Sequence, residues 1–168
     1  MGLFGKSDQP FKDERLNTLW HKWNNKNQNS DWKSIQTLIK VNLIESLITF
    51  AEMPGIISSR EANKDREKGE KLSIEFAKIS FYLGLEFASL DDGLALRVPA
   101  GGEIPKEALD LLKIVIEPVY EFCRSLVLIT HNQRSSAVER DEFILDTKRV
   151  LTEQAFKCFE IGLAASLK

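Results

Sequence analysis

The sequence predicts an all-α fold: a single-domain bundle of about five helices over residues 1–168, with helices two and three central and the fourth kinked near Pro118. Three observations predict it. Between Leu72 and Leu90, the residues Leu72, Phe76, Ile79, Leu83, Phe87 and Leu90 recur at helical steps. A second apolar row, Ile74, Phe81 and Leu85, lies almost opposite, and Ser73, Ala77, Ser80, Gly84 and Ala88 form a line of small residues between them. Such a helix can bury most of its circumference and let another backbone approach closely. Next, Ile35, Ile39, Leu43, Leu47 and Phe50 make one helical row, widened by Leu38, Val41, Ile44 and Ile48. Finally, the apolar stretches are punctuated by helix signals: Pro54-Gly55, Asp91-Asp92-Gly93, and the capping-box pairs Ser58/Glu61 and Ser136/Glu139.

The first helix is expected from about Phe11 to Lys26, with Leu16, Leu19, Trp20 and Trp23 on one face and Ser7 or Asp8 as cap ahead of Pro10. The Asn-rich run 24–30 ends it, because asparagine competes with the backbone for hydrogen bonds. The second helix is expected from about Asp31, behind the N-cap Ser30, to Met53. Pro54 cannot continue the hydrogen-bond ladder, and Gly55 accepts a left-handed turn. The third begins near Ser58 and enters the charged stretch 60–71, where Gly69 is a weak point that makes a break plausible. This charged stretch reads as a solvated helical extension or a mobile charged loop, with a partner-docking arm as the functional alternative. Residues 94–104, LALRVPAGGEI, read as irregular, with Leu94, Leu96 and Val98 alternating as in a short extended segment.

The fourth helix is expected from Pro105 to about His131. Leu109, Leu112, Ile116, Val119, Cys123 and Val127 form its buried row, and Glu103, Glu107, Asp110, Glu117 and Glu121 its solvated acidic side. Pro118 lies inside this pattern. The fifth runs from about Ser136 to the C-terminus. Ile144, Leu151, Ala155, Cys158 and Gly162 face inward with Phe156, Phe159 and Leu163, while Glu142, Asp146, Arg149, Glu153 and Glu160 face outward.

Composition narrows the function classes. With 23 basic and 25 acidic residues, the net charge of −2 gives no basis for coating nucleic acid or a membrane surface. Residues 1–40 carry a mild excess of positive charge. Cys123 and Cys158 give no disulfide framework, and each falls on an apolar helical face as a small hydrophobe. The reading is a reducing, cytoplasmic setting. The N-terminal MGLFGKSDQP has no apolar core of a signal peptide, and Lys6 stands where a myristoylation site needs serine or threonine. Charged residues interrupt both of the most apolar stretches, so no membrane span is expected.

No chemical motif accounts for the chain. The inward Glu-x-x-His pairs of di-metal bundles are absent, because Thr18 and Leu128 stand three residues before His21 and His131. With two His and two Cys on different helices, neither a metal nor a cofactor is expected. Gly101-Gly102-Glu103-Ile104-Pro105 precedes a helix, but Glu103 would repel a phosphate, so it reads as a turn. Trp20, Trp23 and Trp32, interleaved with His21, Lys22, Lys26 and Lys33, are the candidate partner-contact residues. The shared face of Leu16, Leu19, Trp20 and Trp23 also suits packing onto the bundle, and stacking on single-stranded nucleic acid is the remotest of the three uses.

The run RSLVLITH offers an alternative. Arg124 and His131, with six residues between them on one helix, resemble the arginine–histidine pair of all-helical HEPN-type ribonucleases. In that family the pair assembles at a dimer interface, polarises the phosphodiester and shuttles a proton. The resemblance covers two residues, with Ser125 following the arginine, and Arg15 and His21 repeat a similar spacing. It implies a metal-independent ribonuclease using Arg124 and His131. The primary expectation is different: a non-enzymatic interaction, assembly or adaptor subunit that binds another protein or itself. Its motive is the surplus of apolar surface on helices two and three, more than a five-helix core can enclose.

Overall fold

The computed structural model describes residues 9–26, 35, 43–131 and 137–167, with His131 and Ala137 described by backbone only. Six helices are described: α1 (Glu14–Asn24), α2 (Leu43–Glu52), α3 (Ser59–Leu90), α4 (Leu94–Arg97), α5 (Lys106–His131) and α6 (Ala137–Ala165). There is no strand among the described residues. The predicted all-α bundle is the observed fold. Ile35 is helical and buried, and the remaining residues expected in the first part of helix two lie outside the described residues, as do the caps proposed at Ser7, Asp8, Ser30 and Ser136.

α3 is the centre of the bundle and touches every other described helix. Its sequence explains this: from Phe76 to Ala88 only Lys78 and Glu86 are not buried. The line of small residues receives α6. Gly84 and Gly162 meet there with no room for a side chain on either, since a Cβ on Gly84 would lie 2.9 Å from the Gly162 Cα. α5 and α6 form an antiparallel hairpin in which the Lys148 ammonium lies over the Tyr120 ring, 5.3 Å from its centroid. The expected inner rows hold apart from Leu109, Ile144 and Phe156, which are half-buried. Leu112, Ile116, Val119, Cys123 and Val127 of α5 are buried, as are Leu151, Ala155, Cys158, Phe159, Gly162 and Leu163 of α6. Pro118 sits inside α5 and cannot donate to the Ile114 carbonyl; both residues are exposed, so the missing bond faces water.

Three boundaries differ from the sequence reading. α1 starts at Glu14 because Asp13 takes the cap, its carboxylate accepting from the Arg15 and Leu16 amides. Buried Asn17 holds the preceding chain outside the helix, accepting from the Phe11 amide at 3.0 Å and donating to the Phe11 carbonyl. α3 does not break at Gly69. That glycine is buried, and a Cβ there would lie 2.5 Å from Ile44 Cγ2, so it admits α2 rather than ending the helix. The charged stretch is therefore continuous helix. It is also tied inward, because Arg66 donates to Glu45 (2.9 Å) and Glu52 (2.6 Å) of α2. Residues 94–97 are helical, not extended. Leu94, Ala95 and Val98 are buried together, a helical spacing that burial selected over the alternation of Leu94, Leu96 and Val98. The Asp91 carboxylate pairs with Arg97 and accepts from the Gly93 amide, closing this turn.

One stop signal and one start signal behave as expected. Gly55 takes φ +79°, and the Ile56 and Ile57 amides return to the Ala51 carbonyl. At the start of α3, Ser58 and Glu61 form the reciprocal capping box (3.1 and 3.2 Å). Ser58→Ala is expected to cost about 1 kcal/mol, a fall of roughly 2–4 °C in Tm, whereas Ser58→Gly costs only about a few tenths. Thermal melts of both variants check this, and equal losses would show that the hydroxyl has no capping role.

Candidate functional site

Polar and aromatic side chains converge where α1 lies on α3. The flank of α3 that carries Lys78, Tyr82 and Glu86 is polar in sequence, and α1 satisfies each of its groups. Glu86 accepts from Lys22 Nζ at 2.7 Å and from the Trp23 indole at 2.8 Å. Tyr82 donates to Asn24 Oδ1 at 3.0 Å, and burial pushes its hydroxyl up to about 12. Trp20 stands edge-on to Tyr82 and to Phe11, with centroids 5.8 and 5.9 Å apart. The Lys78 ammonium lies 5.7 Å from the centroid of the Trp20 ring.

Beside Trp20 opens a groove of about 410 Å³, lined by Glu67, Glu70, Lys71, Ile74, Glu75 and Lys78 of α3. Its walls mix both signs of charge. Burial raises the Glu75 carboxyl above 4.5, with the Lys71 ammonium at 4.0 Å offsetting part of that cost. Burial also lowers Lys78. The sign for Glu75 follows from linkage: the folded state holds its proton more tightly than the unfolded chain. The cost of the carboxylate is absent below pH 4.5, grows as pH rises through the window above that value, and is present at neutrality. Glu75→Gln is therefore expected to raise stability at pH 7 by about 0.5 kcal/mol and to leave it unchanged at pH 3. Urea denaturation at the two pH values tests this, and a gain of equal size at both would sink the assignment. None of these lining residues was singled out as a site in the sequence, since a polar flank on a helix looks the same whether it faces water or a neighbouring helix.

The sequence-designated residues fall in different places. Trp20 and Trp23 are partly buried against the core, and Trp32 lies outside the described residues. Arg124 is exposed on α5 with its guanidinium 3.7 Å from Glu121; His131 closes the same helix, its side chain outside the described residues. The acidic line Glu107, Asp110, Glu117 and Glu121 is exposed, as is Glu103. Cys123 and Cys158 are buried free thiols, pushed up to about 12 by that burial, which holds them protonated and unreactive. Among the described residues, no group of three or more His, Cys, Asp or Glu could hold a metal ion, and no helix is long and apolar enough to cross a membrane.

A second feature lies on α6. The first half of α6 turns Ile144, Thr147 and Leu151 toward the bundle and leaves Val138, Glu139, Asp141, Glu142, Leu145, Asp146, Arg149 and Glu153 exposed, while Lys148 reaches back over Tyr120 of α5. Val138 is 67% and Leu145 69% exposed. Phe50 and Met53 on and just after α2 are also exposed, at 53% and 82%. No protein-family model, curated protein or solved structure matches the chain.

Proposed function

We propose that the chain is a non-enzymatic interaction or assembly subunit that self-associates. The observation that carries this reading is the outer face of α6, where Val138 and Leu145 stand in water. Single exposed aliphatic residues are ordinary on protein surfaces. Two of them seven residues apart on one helical face, flanked by charges, have the composition of a helix–helix contact. Phe50 and Met53 extend the apolar surface on another side. Sedimentation velocity across the micromolar range tests the proposal, with a concentration-dependent rise in sedimentation coefficient expected. A strict monomer at high micromolar concentration overturns self-association.

Arg124 is solvent-exposed, so the ribonuclease alternative has a direct test of its own. The protein is expected to leave single-stranded RNA intact in the presence of a chelator. Cleavage that disappears in both Arg124→Ala and His131→Ala would replace the interaction reading with the catalytic one.

A further inference from the structure

We propose that the groove beside Trp20 is a covalent binding site for a small uncharged aromatic aldehyde, whose carbonyl the Lys78 amine captures as an imine. The site lies on α3 and α1, away from the outer face of α6, so it stands independently of self-association.

Lys78 differs from its fellow lysines. Among the described residues every other lysine is exposed, and Lys78 alone is half-buried. Its neighbours in the chain, Ala77 and Ile79, are fully buried, and α1 lays Trp20 beside it, with the ring centroid 5.7 Å from Nζ. Water is thereby withdrawn from the ammonium. Burial lowers its pKa from the ordinary 10.5 and enlarges the share of neutral amine, the form that attacks a carbonyl. Glu75, one turn earlier on the same wall, is engaged by Lys71 at 4.0 Å.

The groove sets the class of ligand. Its volume of about 410 Å³ is that of a small-molecule site. Trp20 and Ile74 supply apolar wall, which suits an aromatic ring. Charge decides against an anionic one. Glu67, Glu70 and Glu75 line the groove with Lys71 and Lys78, three carboxylates against two ammonium groups, and a neutral imine at Lys78 leaves only one ammonium. An aldehyde bearing carboxylate or phosphate would therefore be repelled more strongly as the bond forms, and an uncharged one would not.

The condensation needs no co-reactant. The Nζ lone pair bonds to the carbonyl carbon as the C=O π pair moves to oxygen, and a proton passes from nitrogen to that oxygen. The hydroxyl so formed takes a proton from solvent and leaves as water while the nitrogen lone pair forms C=N. The iminium then returns a proton to solvent. Amine and aldehyde have become imine and water.

Reductive amination of the full chain tests this. The probe is benzaldehyde with cyanoborohydride at low dose, and peptide mass spectrometry reads benzylation lysine by lysine. Lys78 is expected to be labelled several-fold faster than exposed Lys64 and Lys157, and the preference is expected to vanish in urea. With para-carboxybenzaldehyde, an anionic analogue, the preference is expected to be lost. Lys78→Arg keeps a cation beside Trp20 and forms no imine, so the fast phase of incorporation is expected to disappear while the other lysines label as before. Labelling of Lys78 no faster than Lys64 and Lys157 overturns the site. A preference that survives in urea overturns the part of the groove, and equal preference for both aldehydes overturns the ligand class.

Discussion

Gly162→Ala is expected to destabilise the protein by about 3 kcal/mol or more, lowering Tm by roughly 6–12 °C. The same change in an open helix stabilises by about 1 kcal/mol. The sign reverses because α3 and α6 are in backbone contact at this point. A Cβ on Gly162 would fall on the Phe81 carbonyl oxygen and within 3.0 Å of the Gly84 Cα. A Cβ on Gly84 would fall on the Phe159 carbonyl oxygen and lie 2.8 Å from the Leu163 amide nitrogen. Backbone cannot move aside as a side chain can, so the two helices must separate and their interdigitated contacts loosen along the pair. Gly69 supplies the internal control. Its Cβ would lie 2.5 Å from the γ2-methyl of Ile44 and 3.3 Å from the edge of the Phe122 ring, both side-chain atoms. Gly69→Ala is expected to change stability by less than about 1 kcal/mol, because side-chain adjustment and gained helix propensity oppose each other. Denaturant titration of the two alanine variants decides the matter. If Gly162→Ala were tolerated as well as Gly69→Ala, the close α3–α6 approach would be wrong.

Phe159→Ala is expected to cost about 3–5 kcal/mol. Phe159 is completely buried beside this crossing, and its ring packs at a tilt on Phe87 with centroids 6.4 Å apart. Backbones held in contact at Gly84 and Gly162 cannot easily collapse into the space that the ring vacates, which places the expected loss toward the upper end. Leu145→Ala on the outer face of the same helix is expected to change the stability of dilute protein by less than about 0.5 kcal/mol. Thermal melts at low micromolar concentration compare the two. Similar losses from both would mean that the face of α6 turned inward has been misassigned.

Much of this arrangement was legible in the residues. The small line Ala77, Ser80, Gly84 and Ala88 announced that a backbone would come close, and all four are buried. The capping box at Ser58/Glu61 and the stop at Gly55 are local events within a few residues, so their chemistry is complete in the sequence. The candidate site was less legible. Glu75, Lys78, Tyr82 and Glu86 read as a polar flank. Nothing in their spacing says that Trp20, Lys22, Trp23 and Asn24, from a helix more than fifty residues earlier, would pair with three of them. Gly69 was ambiguous for a related reason. A glycine inside a charged run looks like a weak point until the neighbour that needs its missing side chain, Ile44, is known. In residues 94–98 the alternation of Leu94, Leu96 and Val98 suggested an extended segment, and joint burial of Leu94, Ala95 and Val98 selected a helical turn instead.

By itself, the sequence determined that the chain folds as helices, where most of them stop and which side of each is apolar. These are set by periodicity, capping and breaking residues within one or two turns of the chain. Tertiary structure alone decided which faces meet: α6 on the small line of α3, α2 over Gly69, and α1 on the polar flank at Tyr82 and Glu86. The physical reason is that periodicity records how much of a helix avoids water. The choice of covering partner depends on shape and charge matched across residues far apart in the chain, and that matching exists only once the chain has folded.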